Sequence, residues 1–163
     1  MNMTHYMELL AANQPWNLLI FMAVPVILAE TVAITELAVL FTRDFNGPIR
    51  QLNRWAGLLG GLYFVPVFLY LMATAAIPLT LSGGWRGPID VVAVGFYLLG
   101  IVPLGGIALI ELGMLGRGRD ALGRLKLHAW LVGLFLVTAH VAMIAGMLDP
   151  GLLGGGGGGH MGH

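Results

Sequence analysis

Residues 17–42 read NLLIFMAVPVILAETVAITELAVLFT, an apolar run with two carboxylates, Glu30 and Glu36, in its second half. At ~1.5 Å per residue the run makes about 39 Å of helix, enough to cross a ~30 Å hydrocarbon core with some tilt. A carboxylate at that depth costs roughly 2.5 to 3.5 kcal/mol, so two in one span must face protein, water or a bound ion rather than lipid. The remainder of the chain is therefore read for what it offers these two groups.

Composition points the same way. Of the 163 residues 58% are hydrophobic and 10% charged, with a mean hydropathy of +0.86, whereas soluble domains average about 45 to 50% and about 25%. The bilayer is the expected solvent. Formal net charge is zero, so the balance points to neither nucleic acid nor an acidic partner, and only the placement of the charges carries information. Cysteine is absent, which excludes disulfides, thiolate metal sites and iron–sulfur clusters and leaves His, Met, Glu and Asp as ligands.

Outward from the first span, the pattern predicts an all-α integral membrane protein. It is an antiparallel four-helix bundle with spans at about 17–42, 55–81, 89–116 and 125–148. A short helix from about His5 to Ala12, capped by Thr4, precedes them at the interface, with Tyr6 and Trp16 at headgroup level. Residues 1–153 form one membrane domain, and the six glycines and HMGH of 154–163 a flexible tail. Pro25 falls inside the first span and is expected to kink it. Gly57 and Gly61 open the second in GxxxG spacing, which lets helix backbones approach closely. Seven of the eight basic residues lie in 43–54 and 117–126, and only Arg86 lies on the other side. These two connections are expected in the cytoplasm and both termini outside, in the periplasm if the membrane is a bacterial inner membrane.

Distance from the cytoplasmic helix ends sorts the polar groups into two layers. Glu36, Glu111 and His128 fall within about 6 to 9 Å of those ends, and Glu30 and His140 at about 18 and 24 Å, with Tyr70 near them. Ordinary solvation by Arg43, Arg117, Arg124 or water accounts for the lower layer; the sharper reading is a carboxylate and imidazole site for a proton or for Zn, Mn or Fe. Glu30 is too deep to snorkel. It is expected either to pair with His140 as a proton or ion site or to hydrogen-bond, protonated, to a threonine, a tyrosine or a carbonyl freed by a proline. His140 with Met72 is a candidate axial pair for haem b, although both intramembrane histidines are on one span. His5, His160, Met161 and His163, with nearby methionines, give a weak outer pattern for copper.

No nucleotide-binding motif, nucleophile elbow or HExxH occurs, and no catalytic activity of its own is expected. The reading favours a small polytopic subunit within a larger redox or proton-handling membrane complex, held by partner subunits or by copies of itself. The alternatives are a stand-alone proton or metal-ion transporter, for copper among others, and a haem b protein using His140.

Overall fold

The computed structural model describes residues 3–152, which are helical with no strand among them. Five helices follow in order: α1, His5–Ala11; α2, Trp16–Thr42; α3, Pro48–Ser82; α4, Pro88–Glu111; and α5, Ala121–Met147. The last four are long and apolar enough to cross a membrane.

Local signals set the ends. Thr4 caps α1, its hydroxyl accepting from the Met7 amide at 3.3 Å; Asp120 caps α5, accepting from the Gly123 amide at 2.8 Å. Pro48 and Pro88 occupy the first helical positions of α3 and α4, where a missing N–H costs nothing and φ is already helical. That start for α3 places Arg50, Asn53 and Arg54 in its first two turns, rather than in a connection running to Arg54.

Proline shapes the spans from within. A proline has no N–H, and its ring crowds the carbonyl four residues earlier. In α2 the helix answers by widening to a π-turn over Leu19–Ala23, just ahead of Pro25, and α3 does the same over Met72–Ala76 ahead of Pro78. The widening ahead of Pro25 leaves the Ile20 and Phe21 carbonyls without ordinary helical donors. Two tyrosines from other helices supply them: Tyr63 of α3 donates to Ile20 O at 2.9 Å and Tyr97 of α4 to Phe21 O at 2.5 Å. The carbonyls freed by Pro25 are thus taken by phenols, not by Glu30.

In α4 the interruption falls at Gly100, three residues before Pro103. A Cβ there would lie 3.1 Å from the Phe135 ring and 3.3 Å from that of Phe64, so the bare backbone lets both rings close on it.

Packing runs round a ring in which α2 contacts α3, α3 contacts the second half of α4, α4 contacts α5, and α5 returns to α2. Phe64, Leu104, Ile107 and Val32 are fully buried at its centre, while Ile34, Phe41 and Trp130 lie on the outer faces. The α3–α4 contact depends on Gly61, since a Cβ there would stand 2.5 Å from both the Leu104 carbonyl oxygen and the Ala108 methyl. At Gly60 the nearest atoms would be at 3.7 Å, an ordinary contact. Gly61→Ala should therefore destabilise the protein by about 1 to 3 kcal/mol through overpacking, read as a lower thermal midpoint in detergent. Gly60→Ala should leave the midpoint within ~1 °C; equal midpoints for the two variants would contradict the close approach.

Candidate functional site

At the end of the molecule where α2 and α4 finish and α3 and α5 begin, each long helix sends a polar side chain inward. Glu36 comes from α2, Asn53 and Arg50 from α3, Glu111 from the last position of α4 and His128 from α5. Glu36, Asn53, Glu111 and His128 are all buried.

These five side chains form a closed circuit. His128 Nδ1 meets Glu36 Oε2 at 2.6 Å, and on the other edge of the ring His128 Nε2 lies 3.3 Å from Glu111 Oε1. Arg50 Nη2 donates to the same Glu111 oxygen at 2.8 Å, and Arg50 Nη1 donates to Asn53 Oδ1. Asn53 Nδ2 returns to Glu36 Oε2 at 3.0 Å, and also reaches Thr35 Oγ1 at 3.0 Å and Val32 O at 3.1 Å. Two atoms in the circuit lack hydrogen-bond partners, Glu36 Oε1 and His128 Nε2. The 3.3 Å approach of Nε2 to Glu111 is close enough for charge attraction but misaligned for a hydrogen bond.

Geometry decides what the circuit can hold. The two carboxylates sit on opposite ring nitrogens, so no single ion can take one imidazole lone pair and both carboxylates. Consistently, no group of three or more His, Asp or Glu among the described residues could hold a metal ion. A proton is different, because imidazole accepts on one nitrogen and releases from the other. Charge counting agrees: two carboxylates and one guanidinium balance when the circuit also holds one proton on His128, and its departure leaves one net negative charge in a buried place.

Beside the circuit lies a polar cavity of about 540 Å³ lined by Arg50, Arg54, Glu111 and Arg124, together with Phe45 and Gln51. Glu111 and Arg50 therefore face a polar space with room for several waters, whereas Glu36 and His128 stand behind them. The chain belongs to the family of unknown function DUF6803, which it matches over residues 1–161. No curated protein and no solved structure gives a significant match.

The structure thus joins Glu36, Glu111 and His128, and it treats the other pair differently. Glu30 is exposed on the outer face of α2, in a stripe with Ile27, Ile34, Leu37 and Phe41. His140 is exposed on α5, its Nδ1 2.6 Å from Leu136 O, which commits that nitrogen as a donor and leaves Nε2 outward. No hydrogen bond or ion pair links the two. Because Glu36 and His128 share a level, six residues of α2 put Glu30 about 9 Å beyond it and twelve residues of α5 put His140 about 18 Å beyond it. Counting from the helix ends leaves the two about 6 Å apart in depth, a gap that tilt closes; from the Glu36–His128 level it is about 9 Å, and neither side chain turns inward.

Met72 lies in the wide turn of α3, half-buried against the first half of α4. His5 is engaged by Asp90 at 2.5 Å. His160, Met161 and His163 lie outside the described residues.

Arg50 and Asn53 were missed from the sequence, which offered Arg43, Arg117 and Arg124 as partners. The signal is Pro48, whose position as a helix start puts residues 50, 53 and 57 on one inward face. Gly57 completes that face: a Cβ there would stand 3.2 Å from His128 Nε2. Arg50 and Arg54 make a clean contrast, since Arg54 is mostly exposed and 3.8 Å from Glu111. Arg50→Ala should cost about 3 kcal/mol by stranding the Glu111 carboxylate, and Arg54→Ala under ~1 kcal/mol. Unfolding in mild detergent compares them; equal losses would remove Arg50 from the circuit.

Proposed function

We propose that this protein is a small four-span membrane subunit that passes protons within a larger redox or proton-handling complex. The carrying observation is the buried Glu36–His128–Glu111 line, with imidazole between two carboxylates and a polar cavity at the Glu111 end. The four long helices cross the membrane as an antiparallel bundle. The connections 43–47 and 112–120 lie in the cytoplasm, with α1 at the outer interface and both termini outside. The crowding of basic residues at the Glu111 end supports that orientation. In this arrangement the cavity is cytoplasmic, protons enter at Glu111, cross His128 and reach Glu36.

Two features favour a subunit over a stand-alone transporter. Beyond Glu36 the centre of the molecule is Val32, Phe64 and Leu104, all buried and apolar, so the line spans only part of the membrane and needs a partner to continue it. Glu30 also stands on the outward face at a depth where a lipid-exposed carboxylate is costly, and a neighbouring membrane helix would cover it.

Purification of the native assembly in mild detergent, followed by proton uptake measurements in proteoliposomes with a pH-sensitive dye, tests the reading. A stoichiometric larger membrane partner is expected, with proton uptake reduced at least tenfold in Glu111→Gln and His128→Gln while assembly is retained. Glu30→Leu should release the partner and Glu30→Gln should hold it. Undiminished uptake in both Gln variants, or a free homo-oligomer that moves protons alone, would overturn the proposal.

A further inference from the structure

At the opposite end of the molecule a second buried acid holds a second histidine. Asp90, in the first turn of α4, is fully buried. Its Oδ1 accepts from the His5 amide at 2.7 Å, and its Oδ2 lies 2.5 Å from His5 Nδ1 and accepts from the Arg86 amide at 3.2 Å. A carboxylate so placed fixes a proton on Nδ1 and fixes the plane of the imidazole. The nitrogen left free is Nε2, on a residue that lines a cavity of about 320 Å³.

The walls of that cavity are mainly apolar and aromatic. Tyr6 enters from α1, Tyr70 and Thr74 from α3, and Val94 and Tyr97 from α4. The π-turn of α3 forms one side, as Thr74 and Ala75 belong to it, and such widened turns recur at functional sites. Tyr97 spends its hydroxyl on Phe21 O and Thr74 its own on Tyr70 O. Tyr6 has no hydrogen-bond partner for its phenol among the described residues, although the residue is only 5% exposed. Burial pushes that phenol up to about 12, so it remains a donor at neutral pH. Gly146 lets the Tyr6 ring lie against α5, where a Cβ would stand 2.8 Å from it.

We propose that this cavity binds a lipid-soluble, hydroxylated flat ring of the quinol class, with its hydroxyl on His5 Nε2 and its face against the tyrosines. A cavity of this volume holds a single substituted ring, and an apolar tail would leave between α1 and α3 toward lipid. The single oriented nitrogen and the free phenol suit a head with one donor and one acceptor oxygen, whereas an acyl chain would use neither. The inference is independent of the Glu36 site, from which Asp90 is separated by nearly the whole length of α4.

The probe is the fluorescent hydroxyquinoline N-oxide bearing a heptyl tail, titrated against the purified full-length protein in detergent. Saturable quenching at one probe per chain is expected. His5→Ala should weaken it at least tenfold, and Ala75→Phe, which fills the cavity from the wide turn, should abolish it with the helical melting profile unchanged. Quenching that is unsaturable, or equal in wild type and Ala75→Phe, would overturn the proposal as simple partition. So would a tightly held phospholipid, found by mass spectrometry, that the probe does not displace. Should His5→Ala unfold, the Ala75→Phe titration alone decides.

Discussion

The short contact between His128 and Glu36 is the constraint on which one end of this molecule rests. Removing two ionisable groups from water carries a penalty of several kcal/mol per ion, recovered only when each finds good partners. Here the pair is completed by Asn53, Arg50 and Glu111, drawn from the two remaining long helices. A shift of α5 by one residue would rotate His128 by ~100° and move it ~1.5 Å, breaking contacts on both ring edges. The circuit thereby sets the register of four helices whose apolar surfaces, taken alone, would tolerate sliding.

The same logic explains the proline-interrupted segments. In an apolar surrounding each freed carbonyl needs a donor, and Tyr63 and Tyr97 provide it to α2 from two different helices. These bonds tie together the halves of the helices away from Glu36, as the circuit ties the halves around it. Two polar devices, one at each level, thus tie together helices long and apolar enough to cross a membrane.

Much of this was legible in the chain. Apolar length announces four helices long enough to cross a membrane, Thr4 announces the cap of α1, and depth counting from the helix ends places Glu36, Glu111 and His128 in one layer. What counting residues does not give is rotation about each helix and the relative height of the helix ends. Depth alone therefore leaves a Glu30–His140 pair open as one of two readings, yet both side chains turn outward and stand at different levels. Arg50 and Asn53 were hidden for a related reason, since the connection was read through to Arg54 when Pro48 already begins the helix. Asp90 has no signal in the chain, because no local pattern ties it to His5, 85 residues away.

The most direct test of the account is histidine-selective ¹⁵N and ¹H magnetic resonance of the protein in lipid bilayers, with His128 assigned by comparison with His128→Gln. The account predicts a strongly deshielded His128 proton, correlated with Nδ1, protected from exchange with deuterated water and lost in Glu36→Gln. A His128 signal that exchanges freely, or that is unchanged by Glu36→Gln, would contradict it.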